Sequence, residues 1–229
     1  MILDKLRGAV VVSCQAPEGN PLRTPAHMAA MARAAELGGA RGIRAEGAAD
    51  IAAIKARCAL PVIGIRKIHR EGCPVFITPT FDDAVALAGA GADLIAADGT
   101  ERPRPGGETL PELIRRVHDE LGVPVMADVD SLESGLFAAD SGADLIATTL
   151  SGYTGSDHHP DEPDLELVRA LSETQPVPVV AEGRIWSPDH VAGAFAAGAF
   201  AVVVGTAITN PVDITRRFVA AVPRTLARE

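Results

Sequence analysis

The chain has few aromatic residues, few cysteines and no long hydrophobic run, and each shortage excludes a class of protein. Aromatic residues make up 3% of its 229 residues, which leaves little surface for stacking a nucleobase or a flavin ring. No apolar stretch approaches the roughly 20 residues of a transmembrane helix, so no membrane association is expected. Three cysteines without paired spacing argue against a disulfide scaffold and favour a reducing compartment. Nothing in the first residues resembles a secretory signal, and the expected location is cytoplasmic.

Basic residues are also fewer than acidic residues in this sequence. The formal net charge is −9, and no basic stretch is dense enough to follow a nucleic-acid backbone. Nucleic acid is therefore not an expected partner. One small phosphate can still bind, because such a site uses a few local donors rather than the net charge of the protein.

A pattern of Ala-rich helix, small-residue turn and short apolar strand occurs four times. The turn glycines are separated by about 51 to 56 residues, which is room for two βα units each. Glycine suits this turn because the residue after a helix often adopts a left-handed backbone conformation. The four glycines are Gly39, Gly91, Gly142 and Gly198.

Strands of a second type begin between these copies, at Pro61, Pro124 and Pro178. Proline is tolerated at the first residue of a strand. With an opening strand around residues 8–13 the count reaches eight, and the continuously apolar runs indicate strands buried on both faces. Alternating helices and eight parallel strands predict a single α/β domain over residues 1–229, a (β/α)8 TIM barrel. A doubly wound open sheet is the alternative, because strand count does not prove closure.

Polar residues finish nearly every predicted strand. In a barrel, the carboxyl ends of the strands and the loops after them form one cleft, so these side chains are expected to converge. Each of them alone could simply cap a helix or pair with a neighbour, but the complete ring favours an active site. The ring contains Ser13, Gln15, Arg44, Glu46, Lys67, Asp98, Asp128, Thr148, Thr149, Glu182, Arg184, Gly205 and Thr206.

Lys67 stands at the end of the predicted third strand, directly after an apolar run. Burial in an apolar mouth disfavours the charged amine, and the neutral amine can take a proton. The same amine could instead form a Schiff base, as in aldolase-type barrels. A surface lysine with its head group in water is the structural alternative.

The loops after strands seven and eight carry candidate substrate-binding and phosphate-binding residues. Glu182 ends strand seven, Gly183 allows a ligand to approach the backbone closely, and Arg184 offers a planar fork of donors for substrate binding. Gly205 and Thr206 form the small-residue turn after strand eight. Barrels commonly bind phosphate in these two loops through backbone N–H groups.

Asp157, His158 and His159 are the cluster in this sequence that most suggests a metal ion. The side chains of adjacent residues point in different directions, and no third ligand stands out. We expect a solvated loop here and no metal site.

Eight short runs, several of them at predicted strand ends, together match the pattern of a known family. They are residues 13–17, 42–47, 77–80, 102–105, 126–128, 148–154, 181–185 and 207–209. In this order they resemble the N-acetylmannosamine-6-phosphate 2-epimerases, also called N-acylglucosamine-6-phosphate 2-epimerases. The resemblance extends from about residue 6 to about residue 220.

This resemblance implies a cofactor-independent (β/α)8 enzyme of sialic acid and amino-sugar breakdown, commonly a homodimer, that acts on a small sugar phosphate. It implies catalytic roles for Lys67 and Glu182. It further implies substrate contacts at Gln15, Arg44 and Asp128, and a phosphate side at Gly183 and Gly205. The chain departs from the family at Asn210, where arginine is frequent, and in residues 68–72.

The resulting hypothesis is proton abstraction at carbon-2 of the open-chain sugar. Lys67 removes the proton, and reprotonation on the opposite face inverts the centre with the help of Glu182 as acid or base. Arg44 and Asp128 would orient hydroxyls and the N-acetyl group. A Schiff-base aldolase acting on a sugar phosphate and a non-catalytic sugar-phosphate-binding barrel are the alternatives.

Overall fold

The computed structural model describes residues 2–155 and 161–223 and contains a closed barrel of eight parallel strands in the order β1 to β8. The strands are β1 (Ala9–Cys14), β2 (Gly42–Glu46), β3 (Val62–Ile65), β4 (Leu94–Asp98), β5 (Val125–Asp128), β6 (Leu145–Ala147), β7 (Val179–Glu182) and β8 (Ala201–Val204). The barrel closes where β8 pairs with β1, with Ala9 opposite Ala201 and Val12 opposite Val204. The predicted (β/α)8 barrel is confirmed, and the open sheet is excluded.

Helices connect the strands and surround them. They are α1 (Ile2–Leu6), α2 (Pro25–Leu37), α3 (Gly47–Lys55), α4 (Phe81–Gly89), α5 (Leu110–Arg116), α6 (Leu132–Asp140), α7 (Leu165–Thr174), α8 (Pro188–Ala196), α9 (Thr206–Thr209) and α10 (Pro211–Ala220). A π-helical turn (Val117–Leu121) continues α5, and short 3-10 turns lie at Pro105–Gly107 and Thr148–Leu150.

Local chemistry fixes where these helices begin and end. Thr24, Ser131 and Ser187 cap α2, α6 and α8, each accepting a hydrogen bond from the backbone N–H three residues later. All four predicted turn glycines have positive φ, between 93° and 99°, which side chains disfavour.

Strand alternation divides the buried residues into two layers. Outward-facing residues such as Ile43 and Ile95 pack under the helices, while Val11, Ile63 and Leu145 fill the barrel interior. Leu6 of α1 packs with this interior layer, so apolar side chains seal one end of the barrel. Nearer the carboxyl ends of the strands the inward-facing residues include polar ones, such as Arg44, Asp128 and Glu182, and the cleft lies above them.

Within the described residues, no helix has both the length and the apolar character to cross a membrane.

Candidate active site

A cleft of about 890 Å³ opens at the carboxyl ends of the strands. Most of the predicted site residues line it: Gln15, Lys67, Glu182, Gly183, Arg184, Gly205 and Thr206. The strands of a closed parallel barrel deliver their last inward-facing side chains to one end, which explains why residues 190 positions apart share one cavity. Arg44 and Asp128 are not among the lining residues and lie buried beneath the cleft.

A short antiparallel ribbon positions Lys67 at the cleft. Residues 66–78 fold back on themselves after β3, so that Lys67 pairs with Ile77 and the backbone N–H of Ile68 donates to Phe76 at 2.9 Å. The His69 and Phe76 rings stack 4.9 Å apart on the same ribbon. The divergent residues 68–72 therefore form the turn of the element that holds the candidate catalytic lysine.

The Lys67 side chain is open to solvent in the cleft, yet the cleft walls crowd it on several sides. This loss of hydration lowers the pKa of the Lys67 amine, and the charge of Arg44 lowers it further. Glu46 opposes the decrease more than Glu182 or Asp128 does. Because the side chain reaches solvent, screening limits the size of the shift. The direction is the one that a lysine acting as a base requires.

Beneath the cleft, one guanidinium is shared between two carboxylates. Arg44 of β2 donates to both oxygens of Asp128, at 3.0 and 2.5 Å, and its Nη1 also lies 2.6 Å from Oε2 of Glu182. Arg44 and Asp128 are almost fully buried, at 1% and 0% exposure. Arg44 therefore anchors Glu182 from below and holds it at the floor of the cleft. Direct contact of Arg44 or Asp128 with a substrate stays a prediction.

Burial raises the pKa of the Glu182 carboxyl, and the negative charge of Asp128 raises it further. Arg44 opposes this only in part, because its positive charge is already shared with Asp128. The hydroxyl of Thr149 lies 2.8 Å from Oδ1 of Asp128 and 3.1 Å from Oε2 of Glu182, and it has one hydrogen to donate. A proton on Glu182 would satisfy both contacts.

Thr148 fixes the backbone of Glu182. Its hydroxyl donates to the Glu182 carbonyl at 3.0 Å and accepts from the Glu182 N–H at 3.1 Å. These two hydrogen bonds connect the residue after β6 to β7, where backbone pairing between the two strands has ended. The strand-end residues of β6 thus serve to position Glu182.

The predicted phosphate side lies where β7 and β8 end. Gly183 has φ of +106°, and a side chain there would be strained. Gly205 leads into α9, and a Cβ atom at Gly205 would lie 3.4 Å from Cβ of Ser13. Thr209 on the same turn donates its hydroxyl to the Ser13 carbonyl at 2.8 Å. Phosphate binding at Gly183, Gly205 and Thr206 stays a prediction.

Arg184 lies at the cleft, and two of its five N–H donors bind backbone carbonyls. Its Nη1 donates to the Ser151 carbonyl at 2.6 Å and its Nε to the Glu162 carbonyl at 2.7 Å. The guanidinium also faces the Tyr153 ring, 5.4 Å from the ring centroid. Arg184 joins two loops, and its predicted substrate contact stays a prediction.

Gln15 lies in the cleft wall beside the end of β1. Its Nε2 donates to the Ser13 hydroxyl at 2.7 Å, while its buried Oε1 has no hydrogen-bond partner among the described residues. An unpartnered buried carbonyl oxygen is costly, and a donor from a ligand would relieve that cost. The predicted substrate contact at Gln15 stays a prediction.

Asp98, like Arg44 and Asp128, is buried and is not among the residues that line the cleft. Its Oδ1 accepts from Thr100 at 2.6 Å, and its Oδ2 accepts from Arg102 at 2.6 Å. Local partners in its own loop therefore satisfy this carboxylate, and it stabilises the β4–α5 connection. Asp98 is opposite Asp128 in the register of β4 and β5, and its convergence with the ring stays a prediction.

Sequence reasoning did not assign roles to several cleft-lining residues. They are Arg23, His69, Asn210 and Asp213, with Glu46 noted only as a strand end. Glu46 lies two residues after Arg44 in β2, so the two side chains point to the same face of the strand, and this alternation could have placed Glu46 in the cleft. Arg23 lies in the loop between β1 and α2, where no such alternation predicts the direction of a side chain.

Over residues 2–155 and 161–223, no group of three His, Cys, Asp or Glu side chains is placed to hold a metal ion. The residues Asp157, His158 and His159, for which a solvated loop is expected, lie outside the described residues.

Comparison with known proteins identifies the family. A family model described provisionally as N-acetylmannosamine-6-phosphate epimerase matches residues 28–224. The chain belongs to this family. Two curated members with the corresponding 2-epimerase name come from Caldanaerobacter subterraneus and Cutibacterium acnes. The first is 49% identical over 219 residues, covering 95% of this chain and 92% of its own. The second is 51% identical over 219 residues, covering 95% of each.

A solved structure of another N-acetylmannosamine-6-phosphate epimerase family member has the same fold. It is the N-acetylmannosamine-6-phosphate 2-epimerase from Clostridium perfringens, with a TM-score of 0.93 and 41% identity over 96% of each chain. Thiamine phosphate pyrophosphorylase from Pyrococcus furiosus has a TM-score of 0.60 at 19% identity over 94% of this chain and 93% of its own. That second likeness shows the barrel fold alone.

Proposed function

We propose that this epimerase-family chain interconverts N-acetylmannosamine 6-phosphate and N-acetylglucosamine 6-phosphate, as a step in sialic acid and amino-sugar breakdown. The observation that carries the proposal is the shared cleft of Lys67 and Glu182. In it the pKa of the amine is lowered and that of the carboxyl is raised. The two environments bring the pKa values of a base and an acid closer to neutral pH, which supports proton transfer.

In the proposed reaction, the neutral Lys67 amine takes the proton from carbon-2 of the open-chain sugar. The electron pair of the broken C–H bond moves toward the aldehyde, whose oxygen takes up the charge of an enediol-type intermediate. A proton returned to the opposite face of carbon-2 inverts the centre. Glu182 acts as acid or base in ring opening or in the second proton transfer.

Arg44 and Asp128 have two roles in this proposal. Their buried pairing holds Glu182 in one place, which keeps the acid at a fixed distance from a bound sugar. Once substrate enters, Arg44 and Asp128 orient hydroxyls and the N-acetyl group through Glu182 and Thr149, the members of the network that line the cleft, together with Gln15 and Arg184. The sugar phosphate lies against Gly183, Gly205 and Thr206, where backbone N–H groups are available to an anion.

Proton NMR in heavy water tests this proposal. The enzyme is given N-acetylmannosamine 6-phosphate, and we expect N-acetylglucosamine 6-phosphate to form with deuterium at carbon-2. Lys67→Ala should lower turnover by about 100- to 10,000-fold, the usual value of a general base. Lys55→Ala is the matched control, because Lys55 pairs with Asp93 away from the cleft and its loss should leave turnover unchanged.

Three results would contradict the proposed function. Near-normal turnover by Lys67→Ala would remove the assigned base. A covalent adduct on Lys67, trapped by borohydride in the presence of substrate, would instead support Schiff-base chemistry. Substrate binding without epimer formation or deuterium uptake would support the non-catalytic sugar-phosphate-binding barrel.

A further inference from the structure

Among the described residues, the cleft contains more negative than positive groups, which matters for a phosphorylated ligand. Of these residues, four carboxylate side chains line it, those of Glu18, Glu46, Glu182 and Asp213. Arginine or lysine lines the described part of the cleft at three positions, Arg23, Lys67 and Arg184. A phosphate monoester is close to doubly charged at neutral pH, so binding it in this cleft requires a cation that is free to turn toward it.

Arg184 and Lys67 do not fit that requirement. Arg184 donates to the carbonyls of Ser151 and Glu162, and these bonds hold its guanidinium between two loops. Lys67 is the proposed base, and an amine paired with phosphate would keep its proton. Arg23 remains. Over the described residues it has no ion-pair partner within 4.0 Å and its side chain is exposed; its charge acts on Asp50 of α3, where it lowers the pKa of that carboxyl against the larger effect of burial.

The loop that carries Arg23 is attached to the phosphate side of the cleft. The backbone N–H of Arg23 donates to the Asn20 carbonyl at 3.0 Å. The Asn20 side chain in turn donates to Oδ1 of Asn210 at 3.3 Å. Asn210 lies between α9 and α10, four residues after Thr206. Arg23 and the small-residue turn after β8 therefore belong to one continuous wall.

Other polar groups on this wall cannot replace Arg23. Asn210 is uncharged, and its Nδ2 already donates to Asp213 at 2.6 Å while its Oδ1 caps α10. Asp213 adds a negative charge to the same wall, and Arg216 pairs with it at 2.7 Å. Arg216 is not among the residues that line the cleft, so among the described residues Arg23 is the cation of this wall that faces a ligand.

We propose that Arg23 supplies the cationic contact for the phosphate of the substrate, acting with the turn at Gly205 and Thr206. This proposal rests on the proposed function, since it takes the ligand to be a sugar phosphate. Arg23 is a binding residue in this assignment and takes no part in proton transfer. Its contribution is therefore confined to ligands that carry the phosphate.

Two variants and two ligands test this assignment. Calorimetry gives the dissociation constants of N-acetylglucosamine 6-phosphate and of N-acetylglucosamine, and epimerisation gives kcat and KM. Arg23→Gln should weaken binding of the phosphorylated sugar by about 10- to 100-fold, the value of a charge-assisted hydrogen bond. Binding of the unphosphorylated sugar should not change. Arg57→Gln, at an exposed arginine outside the cleft lining, makes the same change in net charge and serves as the control.

Each outcome decides between the two proposals. Equal affinity of Arg23→Gln and Arg57→Gln for the phosphorylated sugar would overturn the role of Arg23. So would an equal loss for both sugars, which would indicate a structural effect. If the unaltered enzyme forms no epimer but Arg23→Gln still weakens binding of the phosphorylated sugar selectively, the proposed reaction fails and the role of Arg23 stands.

Discussion

Replacing Arg44 with methionine tests the shared ion pair beneath the cleft. The substitution keeps an unbranched side chain in the barrel and removes the cation that Asp128 and Glu182 share. Removing one partner of a buried ion pair typically costs about 3–5 kcal/mol, because a buried charge is left without compensation. Here two carboxylates are left, so we expect a cost at the upper end of that range.

The loss of stability should depend on pH in a defined direction. Burial and Asp128 already raise the pKa of Glu182, and the variant loses the guanidinium that opposes this rise. A carboxyl whose pKa is higher in the folded than in the unfolded state takes up a proton on folding. The destabilisation is therefore greatest at neutral pH and decreases as the pH falls toward the ordinary glutamate pKa of about 4.3.

Urea unfolding followed by circular dichroism measures this effect. At neutral pH the Arg44→Met midpoint should fall by about 1–2 M, taking a slope of roughly 2.5 kcal/mol per molar urea. Arg115→Met is the control, because the exposed Arg115–Asp119 pair, 3.4 Å apart, should contribute about 0–1 kcal/mol. A cost for Arg44→Met no larger than that of the control, or one that grows as the pH falls, would refute the reasoning.

Two further predictions concern the cleft and the barrel wall. Glu46→Gln removes the carboxylate that most raises the pKa of Lys67, so the acid limb of the kcat/KM profile should move to lower pH; an unmoved or upward-moved limb would contradict this role. Gly99→Ala should destabilise by about 1–3 kcal/mol in thermal unfolding, because its Cβ would lie 2.8 Å from Cβ of Ala127. Gly89→Ala, with open space at its Cβ, should instead stabilise by about 0.5–1 kcal/mol, and similar effects at both positions would argue against the packing.

Much of the fold could be predicted because its signals are local. Prolines at strand starts, glycines after helices and the caps at Thr24, Ser131 and Ser187 each follow from the conformational preferences of one or two residues. Closure of the sheet into a barrel could not be predicted from such local signals. It depends on the tilt and stagger of all eight strands, which bring Ala9 beside Ala201.

The candidate site shows the same division between local and distant signals. Lys67 and Glu182 were found because one closely follows an apolar strand and the other ends one, and both line the cleft. The pairing of Arg44 with Asp128 joins residues 84 positions apart, and no feature of either segment specifies the other. Asp98 has the same strand-end position, but a threonine two residues later and an arginine four residues later bind it locally. Partner choice for a buried charge is settled by three-dimensional proximity.

The pairing of β8 with β1, which closes the barrel, links ligand binding to the stability of the fold. The loop after β1 supplies Gln15 and Arg23 to the cleft, and the turn after β8 supplies Gly205. A molecule bound between them bridges β1 and β8, the two strands whose pairing closes the barrel. Its binding free energy therefore stabilises this pairing, and separation of β1 from β8 would require release of the molecule.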